Sequence, residues 1–379
     1  MLFADTGLSG AEISSLFVIW SVTSVVLEVP SGVWADAFSR RRLLVLAPLP
    51  NAVGFALWTY LPSYPAFAAG FVLWGTSTAL ASGTLQALVY EELARTGAAG
   101  DYERLMGRAE ALRTTAVVLA TALAAPVLAA GGYRAVGAAS VAACLLTALA
   151  GRSLPETRGA RRGTPPEPVR SEVPAGRAGP FREGLAEVRR KPAVRRRLLL
   201  AAVLSGATAL DEYVPLLADS TGVGGSTVPL LVLLVSAGTA LGGWCAGLGT
   251  RRLAPVLAAG AGALAAGAAG GHPAGMVFVA AAFGVFQWAM VAADARLQEC
   301  VGDRARATVT SMAGVGSEVV AVLVFAGYGL GSARLAPGPL VALAAVPYLA
   351  VALALALGPR RGRWGDGRAP GGREEPDDR

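Results

Sequence analysis

The feature that most constrains this chain is a twelve-residue pattern that occurs twice. Residues 32–43 read GVWADAFSRRRL, and residues 242–253 read GGWCAGLGTRRL. A glycine, a tryptophan, two arginines and a leucine recur at a constant offset, and each copy closes one apolar run and opens another. This repeat indicates two related halves, each with a short cationic turn between membrane helices. A duplicated membrane chain of this kind predicts a transporter.

The apolar runs around these turns exclude a soluble fold. The chain is 54% hydrophobic and 16% charged, with a mean hydropathy of +0.52, whereas soluble domains carry about 25% charged residues. The runs are about 20 residues long, the length of a helix that crosses a bilayer, and they do not alternate like barrel strands. We therefore predict an all-α polytopic membrane protein.

Eleven spans are predicted, and the glycine- and alanine-rich run 253–270 leaves ten or twelve as alternatives. The spans are 12–34, 43–60, 66–89, 114–130, 133–151, 198–218, 228–248, 253–270, 274–293, 309–330 and 340–357. The predicted domains are an N-terminal bundle of five spans (1–151), a cytoplasmic linker (152–197), a C-terminal bundle of six spans (198–358) and a disordered cytoplasmic tail (359–379). Within the linker, residues 181–197 are interpreted as an amphipathic surface helix.

Arginine placement predicts the orientation, because cytoplasmic loops retain positive charge. Alternate loops are rich in arginine and the others are nearly uncharged. The chain is thus expected to begin outside and to end inside a bacterial cytoplasmic membrane, as a multi-pass protein. Five spans against six is an unequal division, so we expect the first helix to be missing, through a late start-site assignment or a truncation.

Several functional classes are disfavoured by residue content. The pI near 9.8 and net charge of +7 come from topology-setting arginines, so nucleic acid is not expected as a partner. The three cysteines lack metal-ligand spacing, and His272 is the single histidine. No nucleophile–base set or phosphate loop appears, so we expect no enzyme, cofactor or metal. The expected partners are the lipid bilayer, a small-molecule substrate and protons or another coupling ion, with the protein a monomer.

The first copy of the repeat resembles a family signature. The pattern Gly32-x-x-x-Asp36-x-x-x-Arg40-Arg41 is similar to the cytoplasmic signature of the major facilitator superfamily, between its second and third helices. Ser39 stands where that family usually has glycine, and the second copy lacks the acid.

The resemblance implies a two-bundle helical fold that transports by alternating access. It also implies that Asp36 joins a charge network at the cytoplasmic ends of the helices, and that the turn Arg40, Arg41 and Arg42 latches the outward-open state. Under this resemblance the first span present corresponds to family helix two.

Ionisable residues inside spans are costly and are therefore candidates for function. The candidates for proton coupling are Glu28, Asp211, Glu212 and Glu318. Glu28 shares a helix face with Ser14, Ser21, Ser24 and Ser31, which predicts a polar stripe turned away from lipid. Candidates for a cavity or a helix seam are Arg113, Gln86, Tyr90, Gln287 and Asp294. The structural alternative is that these carboxylates are static partners of Arg113 or of helix hydroxyls.

The sequence contains only weak signals for the direction of transport and for the substrate. Residues 125–132, APVLAAGG, only partly resemble the antiporter signature that the family carries in its fifth helix. We predict a proton-coupled secondary transporter of a small, amphipathic organic molecule, with export slightly favoured over uptake. The alternative is a non-transporting membrane sensor or an inactive truncated fragment on the same fold.

Overall fold

The computed structural model describes residues 2–37, 39–81, 84–98, 101–156, 179–225, 227–245 and 252–357. All regular elements in these ranges are helices. They are α1 (Leu2–Asp5), α2 (Gly10–Ala37), α3 (Arg40–Leu46), α4 (Pro48–Tyr60), α5 (Tyr64–Ala81), α6 (Thr84–Arg95), α7 (Tyr102–Gly151), α8 (Gly179–Arg190), α9 (Pro192–Ala207), α10 (Val214–Ser220), α11 (Val228–Trp244), α12 (Leu253–Ala269), α13 (Gly275–Cys300), α14 (Asp303–Ser332), α15 (Pro337–Leu343) and α16 (Ala345–Leu357).

Seven stretches of the described residues are long and apolar enough to cross a membrane. The helices α11 and α12 are apolar but shorter. The protein is therefore an all-α, multi-pass membrane protein, as predicted. The count of eleven spans stays a prediction.

Proline and glycine divide several predicted spans into shorter helices. Pro48 begins α4 directly after α3, because proline at the first helical position loses no hydrogen bond. Gly132 has φ 61° inside α7, a conformation that glycine adopts without a Cβ clash. This break lies between the predicted spans 114–130 and 133–151, so the sequence located it correctly.

The span predicted at 198–218 is interrupted more deeply. The helices α9 and α10 are joined by a 3₁₀ segment, Thr208–Tyr213. Pro215 has no backbone N–H to donate to the carbonyl of Asp211, and the Val214 N–H bonds that carbonyl instead. This i to i+3 hydrogen bond is the pattern of a 3₁₀ helix and ends the segment.

The helices of the first half, α2–α7, pack through small residues. The helix α5 lies against both α2 and α4, and α4 lies against α7. A Cβ at Gly75 would come within 2.8 Å of Thr23 Cγ2, and one at Gly54 within 3.2 Å of the Gly70 carbonyl oxygen. Phe71, Gly75 and Ala79 are buried, so this stripe of α5 makes a close helix contact.

The second half, α9–α16, is centred on α13. The helices α11 and α12 both pack on α13, and α12 also packs on α16. A Cβ at Gly242 would overlap the Gly284 backbone, and one at Gly238 would overlap the Ala280 carbonyl. The backbones of α11 and α13 are thus in direct contact.

The most extensive contacts between the described halves are made by two helix pairs. In the described residues, α2 packs along α14, and α7 contacts α11. Near the start of α2, a Cβ at Gly10 would lie 2.7 Å from Ser332 Cβ, and Gly329 faces Ser14. The halves are therefore in close contact at the end where α2 begins.

The predicted amphipathic helix over 181–197 is two helices in the structure. The first, α8, ends at Arg190, and Pro192 starts α9, since proline starts a helix more readily than it continues one. Val188 is buried while Arg189 and Arg190 are exposed. Lys191 Nζ lies 2.7 Å from Glu187 Oε1, and this hydrogen bond lowers the pKa of the Glu187 carboxyl. The predicted linker segment 157–178 and the tail beyond 357 lie outside the described residues.

Candidate functional site

A cavity of about 190 Å³ lies between the first half and the 3₁₀ segment. One wall is aromatic and is supplied by α1, α2, α4 and α5. Its residues are Phe3, Phe17, Trp20, Trp58, Phe71 and Trp74. The helices position these rings because each ring lies on the inward face of an apolar span and packs on its neighbours.

The rings of this wall form a continuous contact network. The Trp58 and Trp74 centroids are 5.6 Å apart, and those of Trp20 and Trp74 are 6.1 Å apart. Trp58 Nε1 donates to the Phe67 carbonyl at 3.1 Å. The Trp20 indole N–H, by contrast, is buried without an acceptor among the described residues. The wall is therefore a set of rings in mutual contact, with one indole N–H that has no acceptor among the described residues.

The opposite wall comes from the broken helix of the second half. Glu212, Pro215 and Leu216 line it. Glu212 is half-buried, and it is the one ionisable side chain among the described lining residues. The 3₁₀ turn before Pro215 therefore brings a carboxylate to an otherwise apolar and aromatic cavity.

Asp211 and Glu212 are adjacent, yet they occupy different surroundings. Asp211 is exposed and is not one of the described residues that line the cavity. Of this pair, Glu212 is therefore the carboxylate that the described residues place in the cavity wall.

A buried hydrogen bond joins the halves beside this cavity. Ser14 Oγ and Tyr213 Oη are 2.7 Å apart, and both residues are buried. The Tyr213 ring stacks on Tyr328 with centroids 3.6 Å apart, and Phe17 packs against Tyr213 and Phe325. Ser14 and Ser21 of the predicted polar stripe are thus interior, and Ser14 contacts the other half.

The cationic turn is held by two acids. Arg40 NH1 lies 2.5 Å from Glu91 Oε1 on α6. Ser39 Oγ caps α3 by accepting the Arg42 N–H at 3.1 Å. Glu156, which follows α7, accepts the Ser39 hydroxyl and, at 2.7 Å, the Arg40 N–H.

Glu91 and Glu156 were missed by the sequence analysis. The signal that could have found them is their position, since each follows a predicted span at the arginine-rich end. Arg41 and Arg42 are exposed. The surroundings of Gly32 and the side chain of Asp36 lie outside what the structure describes, so the network implied for Asp36 stays a prediction.

The remaining predicted residues are dispersed. The Glu28 side chain is also outside the described residues. Glu318 and Gln287 are half-buried on α14 and α13, and Arg113, Gln86, Tyr90 and Asp294 are exposed. Gln298 Nε2 donates to Asp294 Oδ1 at 3.4 Å and to Thr310 at 3.1 Å, and Tyr90 packs on Tyr102. Of the residues predicted for coupling or the cavity, Glu212 is the one found among the described cavity residues.

The described part of the chain contains no cluster of side chains arranged to bind a metal ion. No group of three His, Cys, Asp or Glu side chains there is arranged to hold an ion. Cys144, Cys245 and Cys300 are free thiols.

Comparisons with known proteins agree on the fold. The Major Facilitator Superfamily profile matches residues 1–325. A search of curated proteins found no match. A mutant of the nucleoside transporter NupG is similar in structure, with a TM-score of 0.71, 14% identity, and coverage of 94% of this chain and 92% of that one.

Two further solved structures are similar. The D-xylose-proton symporter has a TM-score of 0.68 and 14% identity, covering 93% of this chain and 89% of that one. A bacterial homolog of the human lysosomal transporter Spinster has a TM-score of 0.60 and 18% identity, covering 92% and 86%. The profile match over most of the chain and the shared helical fold lead to one conclusion: this chain belongs to the major facilitator superfamily of membrane transporters.

Proposed function

We propose that this protein is a proton-coupled secondary transporter that exports a small organic molecule across the bacterial cytoplasmic membrane. The observation that carries the proposal is the aromatic cavity between the halves, with Glu212 in its wall. The moving units are the predicted bundles 1–151 and 198–358, which rock about the cavity in a monomer with a cytoplasmic C-terminus.

Carboxylates on the membrane-spanning helices support proton coupling. A charged carboxylate within a bilayer-spanning segment is costly, and protonation removes that cost. Glu212 and Asp211 sit at a helix break, the place where transporters commonly position substrate and ion sites. Glu28 and Glu318 are further candidates for the same role. A proton symporter among the similar structures supports coupling to protons as a mode open to this fold.

Alternating access supplies the mechanism. The Ser14–Tyr213 hydrogen bond and the ring contacts around it join the halves at the end where α2 begins. These contacts have to break for the cavity to open on that side, and the opposite contacts then have to form. Protonation and deprotonation of Glu212 would bias which of the two arrangements is occupied.

Reconstituted vesicles test this function. We expect an imposed pH gradient to drive flux of some member of a mixed panel of small organic molecules, with Glu212→Gln abolishing the gradient-driven component. Asp219→Asn is the matched control, because Asp219 is an exposed acid near the C-terminal end of α10, the second part of the same broken helix. Accumulation in inverted vesicles with an acidic lumen establishes export.

Absence of gradient-driven flux across the panel, in vesicles of both orientations, would contradict the proposal and favour the non-transporting sensor. Normal flux and normal pH dependence in Glu212→Gln, Asp211→Asn and Glu318→Gln would contradict carboxylate coupling at these positions.

A further inference from the structure

We propose that the aromatic cavity binds a compact organic monocation, such as a substituted or quaternary ammonium. This inference rests on the proposed transport function and names the substrate class for the same cavity. Its three supports are the ring wall, the isolated carboxylate and the size of the space.

The ring wall favours a cation over an anion or a strongly polar ligand. Three tryptophans, Trp20, Trp58 and Trp74, line the cavity together with three phenylalanines. The face of an aromatic ring is electronegative, and tryptophan attracts cations most strongly. Quaternary ammonium groups are recognised by such cages because their methyl groups are apolar while their charge is attracted to the rings.

The carboxylate supplies the complementary charge. Glu212 is half-buried at the cavity, and in the described residues no lysine or arginine forms an ion pair with it. An anionic ligand would be repelled by this group, and a neutral one would leave it without a charged partner. A monocation satisfies it.

The size of the cavity limits the ligand. Drug-sized pockets are about 300–1,000 Å³, and this cavity is about 190 Å³. The ligand is therefore compact.

Choline and its neutral isostere dimethylbutanol, in which carbon replaces the quaternary nitrogen, form the probe pair. Equilibrium binding to the purified chain in detergent is measured by calorimetry at one pH and without a gradient. We expect choline to bind at least about tenfold more tightly than the isostere, the effect of one charge-assisted contact of about 1.4 kcal/mol.

Variants separate the two recognition elements. We expect Glu212→Gln to weaken choline binding about tenfold and to leave isostere binding unchanged, while Glu212→Asp retains the preference. Trp74→Leu is expected to weaken choline binding about fivefold, and Trp74→Phe to restore most of it. Asp219→Asn is the control for charge removal outside the cavity, and unfolding temperatures verify that each variant is folded.

Equal affinity for choline and the isostere would overturn the inference, as would undiminished choline binding in folded Glu212→Gln together with Trp74→Leu. The failure of the proposed function looks different. Choline binding without gradient-driven flux contradicts transport and keeps the cation site, whereas gradient-driven flux of other molecules by a chain that does not bind choline keeps transport and overturns the cation site.

Discussion

Ser14 and Tyr213 form a hydrogen bond between hydroxyls that are 2.7 Å apart and buried in the contact between the two halves. The residues are far apart in the chain, and each is supported by packing, Tyr213 by stacking on Tyr328. A buried hydroxyl that loses its partner costs about 1–3 kcal/mol. This pair therefore stabilises the arrangement in which the halves are closed at the start of α2.

A double-mutant cycle tests that pair. We expect Ser14→Ala and Tyr213→Phe each to lower the free energy of unfolding by about 1 kcal/mol, and the double variant to lower it by less than the sum. The non-additive remainder is the coupling between the hydroxyls. Strict additivity would mean that the two hydroxyls do not interact. Chemical denaturation in detergent is the measurement.

The hydrogen bonds that Glu156 accepts from the cationic turn are expected to stabilise it more than the Arg40–Glu91 ion pair does. Ser39 caps α3, and Glu156 accepts both the Ser39 hydroxyl and the Arg40 N–H. A hydrogen bond to a charged group contributes about 1.5–3 kcal/mol, whereas Glu91 is 49% exposed and exposed ion pairs contribute about 0–1 kcal/mol. Glu156→Ala should thus reduce the unfolding temperature more than Glu91→Ala does. The reverse order would show that the ion pair dominates the turn.

Because the backbones of α11 and α13 are in contact, adding one methyl group at this contact is expected to lower the stability of the protein strongly. Because a Cβ at Gly242 would overlap the Gly284 backbone, Gly242→Ala has to separate the helices. We expect a loss of at least about 1–3 kcal/mol, the usual effect of overpacking. Gly262→Ala is the matched control, since its added Cβ would contact nothing within 4 Å. Equal unfolding temperatures for the two variants would rule out this close contact.

The contribution of the Glu187–Lys191 pair to the free energy of unfolding is expected to depend slightly on pH. The lowered pKa of Glu187 means that its contribution to stability is present above the carboxyl's unfolded pKa. The contribution is lost as pH falls through the lower, folded pKa. Because Lys191 is largely exposed, the effect should be about 0.3–0.5 kcal/mol, typical of helix pairs at this spacing. Unfolding at neutral and acidic pH compares the wild type with Glu187→Gln, which should lack this component, and Glu299→Gln is the control.

The fold was predictable because lipid leaves few choices. Long apolar runs have to be helices, and the glycines at 131 and 132 marked the break in α7. The close packing of Gly75 could be anticipated from the small residues spaced along α5. These features depend on local composition and periodicity, which a single sequence contains.

The site was only partly predictable because its partners come from distant segments. Glu212 was a candidate as an acid inside a span, but its aromatic surroundings depend on how α2, α4 and α5 meet the 3₁₀ turn. The span predicted over 198–218 lies within a stretch long and apolar enough to cross a membrane, but the prediction did not include the 3₁₀ segment before Pro215. Glu156 lies far along the chain from Ser39, and no local pattern records that they meet.

The glycine contacts of α11 and α13 have a mechanical consequence. The backbones of these helices touch at Gly238 and Ala280, and again at Gly242 and Gly284. No layer of side chains lies between them at these points to let one helix slide past the other. The two helices should therefore move together as one rigid body. When the second half rotates during transport, we expect α11 and α13 to rotate with it over their full length. We expect bending to occur at the 3₁₀ segment beside Glu212 instead.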